Sequence, residues 1–248
     1  MSKYYEKEYD LFSRLFILKE FSEKKLDILS KQKISIVGIG GIGCPLSLYL
    51  ISSGIKSLLL VDGDTIEKSN LNRQILFNND DINKKKVKVA KKKLNKINPF
   101  SKIKIFDKNI NSNNVNILSD SSIIIDAADD WKTSKLLNEF CVKNSINFVF
   151  SSVVRYDIQT VLFDNKAKDN HICLNCLFPN KNEVELPRCE TVGISSISAG
   201  LAGLITAQKV INFILSLRKE AGLLTISDGK YLNIDNIVVN GNHNCYLK

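Results

Sequence analysis

Side chains suited to handling an activated phosphate compound recur in the first half of the sequence. Asp62 and Asp64 follow an apolar run, and Arg73 belongs to the segment SNLNRQ. Lys86 and Asp129 come later. Arginine and lysine neutralise phosphate oxygens, a carboxylate holds Mg²⁺, and an acid at a strand end binds a ribose. A dehydrogenase needs no such set, whereas an enzyme that directs attack on the α-phosphate of ATP and expels pyrophosphate needs all of it.

A glycine-rich turn precedes these residues and is suited to receive the phosphate. The apolar run Ile34–Val37 leads into the turn, and the run Leu58–Val61 ends directly before Asp62. The glycines are Gly38, Gly40, Gly41 and Gly43. In such a fingerprint one glycine makes a tight turn, another lets backbone N–H groups approach a phosphate, and the last allows close helix packing, with the ribose acid about 20 residues on. Taken alone, the glycines fit a nicotinamide oxidoreductase equally well.

Alternating strands and helices predict an α/β protein with a Rossmann-like, doubly wound, mostly parallel sheet. The predicted strands are Ile34–Val37, Leu58–Val61, Lys102–Phe106, Ile123–Ile125 and Asn147–Ser151, and the predicted helices include Gly43–Ser53, Asp81–Ile97 and Trp131–Asn144. Ligands of such sheets bind beyond the carboxyl ends of the strands. Asp62, Asp126 and Asp129 should therefore lie on one side of the sheet, with Asp126 in a structural role.

The character of the sequence changes after residue 152. A strand at Tyr156–Phe163, a long helix at Ile194–Arg218 and a strand at Tyr231–Val239 predict a mixed or antiparallel C-terminal part. Before the first strand, residues 5–29 read as one or two helices. No Pro- or Ser-rich linker interrupts the chain, so we expect a single domain over residues 1–248.

Composition sets the class of protein. The 248 residues are 44% hydrophobic and 25% charged, which suits a globular domain with a substantial core. The N-terminus, MSKYYEKEYD, lacks the apolar segment of a secretory signal, so we expect a cytoplasmic protein. The apolar stretch Ile194–Leu217 contains Gln208, Lys209 and Asn212, so we expect a buried core helix and no membrane partner.

Lysines between Lys84 and Lys93, in KKKVKVAKKK, supply much of the net charge of +9. We expect a solvated helix face, and the alternative is a docking surface for an acidic partner or for phosphates. Nucleic acid is not expected as a partner, because no aromatic residues are interleaved with these lysines.

Six cysteines in a chain expected in the cytoplasm favour metal binding or catalysis over disulfides. Cys44 and Cys141 lie in apolar, helix-like segments and should be packing residues. Cys173 and Cys176, in the segment CLNC, have the spacing of half a structural zinc site.

Taken together, the motifs are similar to those of a known family. They are GIGGIG, VDGD followed by SNLNRQ, a helix lysine followed by alanine, DAADD, CLNC, RCETVGI, and Asp228-Gly229. The chain resembles the ThiF/MoeB/HesA family, bacterial relatives of the ubiquitin-activating enzymes, from about Arg14 to Cys245. SNLNRQ after an acid-ended strand, with the downstream lysine and aspartate, carries most of this resemblance.

The resemblance implies a role for each matching position around ATP. Asp62 would hold the ribose, and Asp64 and Asn70 would line the nucleotide site. Arg73 and Lys86 would contact phosphates. Asp129 would hold Mg²⁺, and it is followed by Asp130 where the family usually has asparagine.

The resemblance also implies partners. Arg14 matches an arginine that reaches the nucleotide from the other subunit, which implies a homodimer. Cys189 matches a crossover-loop cysteine proposed to form a covalent link with the carrier protein or to relay sulfur. In this description residues 1–30 are N-terminal helices, 31–152 the nucleotide-binding core, and 153–248 the carrier-binding part with the crossover loop.

The second half of the zinc site departs from the family. Cys245 matches the first cysteine of a C-terminal CxxC pair, but Lys248 replaces the second. Lysine is not a zinc ligand, so His243 is the candidate fourth donor beside Cys173, Cys176 and Cys245. The alternative is a degenerate site without metal.

The function that follows from the resemblance is ATP-dependent adenylation of a small ubiquitin-like sulfur carrier of the ThiS or MoaD type. The substrate would be the C-terminal carboxylate of its Gly-Gly end, in thiamine or molybdopterin biosynthesis. Three alternatives remain open. They are a related enzyme that activates a tRNA-linked carboxylate or a peptide C-terminus, an NAD-dependent oxidoreductase, and a non-catalytic nucleotide-binding partner.

Overall fold

The structure is a computed structural model that describes residues 3–167, 172–179, 192–241, 245 and 247. Its strands are β1 (Lys33–Val37), β2 (Ser57–Val61), β3 (Lys102–Phe106), β4 (Ile123–Asp126), β5 (Asn147–Val154), β6 (Asp157–Phe163), β7 (Leu223–Asp228) and β8 (Asn233–Val238). They form one sheet in the order β3-β2-β1-β4-β5-β6-β7-β8. The first five strands are parallel to one another, and β6, β7 and β8 pair antiparallel. The predicted fold class is confirmed.

Helices cover both faces of this sheet. They are α1 (Lys3–Phe12), α2 (Glu23–Ser30), α3 (Gly43–Ser52), α4 (Lys86–Ile97), α5 (Trp131–Lys143), the single turn α6 (Leu174–Leu177) and α7 (Ser196–Ile214). Buried side chains of α3, α4 and α7 form one apolar core with the sheet. Those of α5 and of the 3₁₀ turn Val115–Leu118 form the other core. The carboxyl edge of the parallel strands is therefore framed by helix N-termini from both layers.

The helix predicted to begin at Asp81 begins instead at Lys86. Asp81 closes a 3₁₀ turn, Asn79–Asp81, and its carboxylate accepts the Asn78 N–H at 3.1 Å. Asn83 has a φ of 67°, and Lys85 is extended. These conformations interrupt a helix, so the first full turn of α4 starts at the lysine beside the cleft.

The C-terminal part differs from the sequence prediction in two places. The strand β7 lies in a segment for which no strand was predicted, although the turn at Asp228-Gly229 directly follows it. The helix predicted to reach Arg218 ends at Ile214, because Ser216 has a φ of 53°. Beyond that point the chain turns back, and Glu220 is buried against α7.

Helix α7 is long and apolar enough to cross a membrane, but its packing is that of a core helix. Ala202, Thr206 and Lys209 are buried in it. The Lys209 ammonium donates to the Glu220 carboxylate and to the Leu223 carbonyl oxygen, each at 2.9 Å. A buried lysine with these two partners ties the helix to the rest of the protein.

Candidate active site

A cleft of about 510 Å³ opens where the parallel strands end. It is lined by most of the residues that the sequence singled out. They are Gly38, Gly40, Gly41, Asp62, Asp64, Asn70, Arg73, Lys86 and Asp129. The same walls include Val37 and Val61, the last residues of β1 and β2, together with Ala127 just after β4 and Phe150 within β5. The expectation that the strand-end acids face one side of the sheet is confirmed for Asp62 and Asp129.

The glycine turn is shaped by two close approaches. Gly38 has a φ of 95°, and a Cβ there would lie 2.5 Å from the Ala127 carbonyl oxygen. A Cβ on Gly43 would lie 2.0 Å from the Gly38 carbonyl oxygen. A Cβ on Gly40, by contrast, would meet nothing closer than the Gln74 side chain at 3.9 Å. The turn is therefore tight beside β4 and open towards the cleft, as approach of a phosphate requires.

Asp62 forms the floor of the cleft directly after β2. Its Oδ2 accepts the Ile39 N–H at 2.7 Å, and its Oδ1 accepts the Asp64 N–H at 2.8 Å. Burial raises the pKa of Asp62, while Lys86 and the two N–H donors oppose that shift. Each carboxylate oxygen has a second lone pair, so Asp62 can hold the glycine turn and still accept a ribose hydroxyl.

Lys86 is the enclosed cation of the site. Its Nζ lies 2.8 Å from Asp64 Oδ2, and its backbone N–H donates to the Asp64 carbonyl oxygen at 3.2 Å. The first residue of α4 is therefore attached twice to the loop after β2. This attachment holds a buried lysine at the mouth of a cleft, where a phosphate is the complementary charge.

Asn70 and Arg73 come from the loop that precedes α4. Asn70 Oδ1 accepts the Glu67 N–H at 3.2 Å and stabilises the 3₁₀ turn Lys68–Asn70. Arg73 Nη1 donates to the Ser69 carbonyl oxygen at 3.0 Å, and a Cβ on Gly41 would lie 3.4 Å from Arg73 Cγ. The arginine stem thus lies over the glycine turn, and its guanidinium is held at the rim of the cleft.

Three aspartates at the end of β4 differ in their surroundings. Asp126 is fully buried, and its Oδ1 accepts the Ala128 N–H at 3.1 Å. Burial raises the pKa of Asp126 to about 7, and the hydrogen bond from the Ala128 N–H opposes that shift. Asp130 caps α5 by accepting the Lys132 and Thr133 N–H groups. Asp129 is exposed in the cleft, and among the described residues its carboxylate has no hydrogen-bond or ion-pair partner.

Several residues of the cleft were not predicted as site residues. They include Gln74, Asn109, Trp131, Thr133, Phe150, Ser152, Val153, Val154 and Ile194. Gln74 lies inside the SNLNRQ segment and Asn109 lies just beyond β3, so both carried a positional signal. The aromatic and aliphatic members come from the start of α5 and from β5. These residues line the cleft because of the order of the strands in the sheet, and spacing in the sequence does not predict that order.

Arg14 and Gly43 do not line the cleft. Arg14 is exposed just before the 3₁₀ turn Leu15–Ile17, and Gly43 packs behind the glycine turn. Two predicted site residues, Cys189 and His243, lie outside the described residues, as does Lys248.

The cysteines predicted to bind zinc meet away from the cleft. Cys173 Sγ lies 3.5 Å from Cys245 Sγ and 4.0 Å from Cys176 Sγ, and the three sulfurs lie within 4.8 Å of one another. Burial raises the pKa of Cys173 to about 12, and the hydrogen bond with Cys245 adds to this. Cys44 and Cys141 are buried in the two apolar cores, as predicted.

This fold and this cleft define a doubly wound α/β protein of the class that binds nucleotides at the carboxyl edge of its sheet. The chain belongs to the ThiF family, whose model matches residues 12–247. The resemblance inferred from the motifs is confirmed.

Named relatives cover most of the chain. The sulfur carrier protein adenylyltransferase of Thermus thermophilus is 27% identical over 245 residues, which are 97% of this chain and 90% of that protein. The sulfur carrier protein ThiS adenylyltransferase of Escherichia coli is 27% identical over 226 residues, covering 91% and 89%. Among solved structures, E. coli MccB with ATP matches with a TM-score of 0.83 at 23% identity, covering 96% of this chain and 74% of that one.

Proposed function

We propose that this protein is an ATP-dependent adenylyltransferase that activates the C-terminal glycine carboxylate of a small ubiquitin-like sulfur carrier. One observation carries the proposal. Arg73, Lys86 and Asp129, from three separate segments, line the same cleft as the glycine turn. The names of the Thermus thermophilus and Escherichia coli relatives support the same activity.

The two sides of the cleft suit the two substrates. Asp62 and Asn109, at the ends of β2 and β3, provide polar partners for the nucleoside. Trp131, at the start of α5, and Phe150 and Val153, in β5, provide a largely apolar wall, which we name the acceptor side. A carrier tail ending in two glycines, which have no side chains, can lie along such a wall with its carboxylate turned towards the α-phosphate.

The proposed reaction is an in-line displacement. A carboxylate oxygen of the carrier forms a bond to the α-phosphorus, and the bond from that phosphorus to the bridging oxygen of the β-phosphate breaks. Pyrophosphate leaves with the bonding electrons. Lys86 and Arg73 stabilise the charge that develops on the phosphate oxygens.

The residues present fit a divalent cation beside the phosphates. Asp129 offers carboxylate oxygens in the cleft that have no partner in the described part of the chain, and they are the donor type that Mg²⁺ prefers. Such a cation would neutralise negative charge on the phosphates. The chain's contribution is to hold Asp129 on the short turn between β4 and α5. Asp126 stabilises this turn by accepting the Ala128 N–H, and Asp130 does so by capping α5.

The cysteine cluster fits zinc. A tetrahedral site with Zn–S distances of about 2.3 Å has sulfurs about 3.8 Å apart, and Cys173 Sγ lies 4.0 Å from Cys176 Sγ and 3.5 Å from Cys245 Sγ. We propose a structural zinc on Cys173, Cys176 and Cys245, with His243 as the fourth donor. The cluster lines no part of the cleft, so its role is to hold the C-terminus against the segment after β6.

We also propose a homodimer in which Arg14 completes the cleft of the second copy. Arg14 is exposed and lies outside the cleft of its own chain, and Ile17 and Leu18 beside it are 72% and 49% exposed. Mixing the Arg14→Ala and Asp129→Ala variants should restore part of the activity that each lacks, because one of the two mixed sites is intact. No recovery in a mixture that sediments as a dimer contradicts this arrangement.

The test of the function is ATP–pyrophosphate exchange with and without purified ThiS- or MoaD-type carriers. We expect exchange only with a carrier that ends in Gly-Gly, and none when its last glycine is removed. Exchange that responds to a short peptide or to bulk tRNA instead of any carrier would assign one of the alternative acceptors. The ratio between the two carriers identifies the pathway, thiamine or molybdopterin.

A further inference from the structure

Three aromatic rings link the cysteine cluster to the cleft. The Phe178 ring lies 5.3 Å from the Trp131 ring at an interplanar angle of 88°, and 6.1 Å from the Phe150 ring. Trp131 and Phe150 are themselves 6.1 Å apart and edge-on. Trp131 and Phe150 face the cleft, whereas Phe178 lies behind them. We name these three residues the aromatic wall.

Phe178 belongs to the same short segment as two cysteines of the cluster. Its N–H donates to the Leu174 carbonyl oxygen at 2.9 Å, and the Cys176 N–H donates to the Cys173 carbonyl oxygen at 2.9 Å. Cys173 and Leu174 are fully buried. The single turn α6 therefore holds the Phe178 ring in a defined position relative to the cysteine sulfurs.

This segment is fastened at two further points. Across the chain, Cys245 approaches Cys173 at 3.5 Å between sulfurs. From α5, the buried Asn138 Oδ1 accepts the Leu174 N–H at 2.9 Å. Asn138 and Trp131 lie on the same helix. Helix α5 therefore contacts the segment at two points, where Asn138 accepts the Leu174 N–H and where Trp131 packs against the Phe178 ring.

We propose that the segment Cys173–Phe178 is a brace for the acceptor side of the cleft. Phe178 is a positioning residue for Trp131 and Phe150, and the cysteine cluster is the anchor that holds Phe178 in place. Loosening the cluster then moves the aromatic wall, although no cysteine of the cluster touches the cleft. The term acceptor side rests on the proposed function, but the mechanical link does not.

The chain contains one tryptophan, so tryptophan fluorescence reports on the surroundings of Trp131 in the aromatic wall. In nucleotide-free protein, Cys245→Ser should shift the Trp131 emission to longer wavelength and increase its quenching by acrylamide. Cys245 lies in neither the cleft lining nor the ring contacts of Trp131, so only a transmitted change gives this result. Cys44→Ser is the control, since Cys44 is also buried but packs in the core that does not include Trp131, and it should leave the emission unchanged.

A double-mutant cycle tests whether the effect of Cys245 on Trp131 is transmitted through Phe178. In a Phe178→Ala background, Cys245→Ser should produce no further change in emission or quenching. Unchanged emission in Cys245→Ser alone, or effects of the two substitutions that simply add, overturns the proposal. Where Cys245→Ser fails to fold by circular dichroism, Asn138→Ala replaces it, because it removes the other fastening and leaves all three cysteines in place.

Steady-state exchange separates this proposal from the proposed function. With E. coli ThiS as the carrier probe, Cys245→Ser should raise the KM for ThiS and leave the KM for ATP unchanged, because ATP lies on the opposite side of the cleft. Equal increases in both KM values contradict a role confined to the acceptor side. Absence of exchange in the wild type rejects the function and leaves the fluorescence result valid, whereas normal exchange with unresponsive fluorescence rejects the brace alone.

Discussion

The ammonium group of Lys86 lies 2.8 Å from the carboxylate of Asp64, but the two side chains are 7% and 59% exposed, respectively. The cation is enclosed and the anion is solvated. An exposed partner contributes little to stability, because water screens it. The pair therefore leaves Lys86 available to a phosphate, since Asp64 can turn to solvent when a stronger anion enters the cleft.

Replacing Lys86 should abolish most of the exchange activity with little loss of stability. Lys86→Ala removes the enclosed charge that faces the phosphates, and we expect a decrease in kcat of about 10²–10³-fold, as for other preorganised transition-state donors. Lys92→Ala is the control on the exposed face of the same helix and should retain wild-type exchange. Equal activities of the two variants would remove Lys86 from the mechanism.

Replacing Asp129 should affect the exchange activity, whereas replacing Asp130 should affect the stability of the fold. Asp129→Ala removes a carboxylate that has no partner among the described residues, so exchange is lost while the melting temperature stays the same. Asp130→Ala removes the N-cap of α5 and should lower the free energy of unfolding by about 1 kcal/mol. Thermal melts and exchange rates on both variants check this contrast, and a destabilised Asp129→Ala protein would contradict it.

The raised pKa of Asp126 should cause the free energy of unfolding to decrease as the pH rises. Its pKa is raised from 3.8 to about 7 in the folded protein, so the folded state keeps a proton that the unfolded chain has already lost. Unfolding then releases a proton, and the free energy of unfolding falls between about pH 4 and pH 7, by at most about 4 kcal/mol. Above pH 7 this contribution is constant.

Asp126→Asn removes that titration and keeps the shape of the side chain. Urea unfolding at pH 5 and pH 8 should show a smaller loss of stability in the variant than in the wild type. Parallel pH profiles for the two proteins would show that the Asp126 pKa is not raised.

Zinc should depend on the three clustered cysteines and on no other described cysteine. We expect about one zinc per chain by elemental analysis, and its loss in Cys176→Ser together with a lower melting temperature. Cys44→Ala should keep its zinc, because Cys44 is buried in the opposite core. Wild-type protein that is free of metal and equally stable with or without added zinc would identify a degenerate site.

Two glycines of α7 should respond in opposite directions to the same substitution. A Cβ at Gly203 would lie 2.7 Å from the Ile42 carbonyl oxygen and from Pro45 Cγ, whereas a Cβ at Gly200 would meet nothing within 4 Å. Gly203→Ala should destabilise by about 1–3 kcal/mol through overpacking of α3 on α7. Gly200→Ala should stabilise by about 1 kcal/mol through helix propensity. Urea unfolding measures both, and a stable Gly203→Ala protein would mean that the two helices separate easily.

Local patterns were sufficient for the nucleotide-binding half. The runs Ile34–Val37 and Leu58–Val61 are strands β1 and β2, and the glycines between them form the expected turn. Such features depend on neighbours a few residues apart, which a sequence displays directly. The start of α4 was predicted five residues too early, because the left-handed Asn83 and extended Lys85 are backbone states that helical periodicity does not report.

The sequence by itself determined the family, the parallel sheet and the set of charged residues suited to ATP, because these follow from motifs and their spacing. Only the tertiary structure decided that Phe178 packs on Trp131 and that Asn138 accepts the Leu174 N–H. It also decided that Asp126 is enclosed while Asp129 stays open. Contacts of this kind depend on strand order and chain reversal, and the free energy that selects them comes from burying side chains that are distant in sequence.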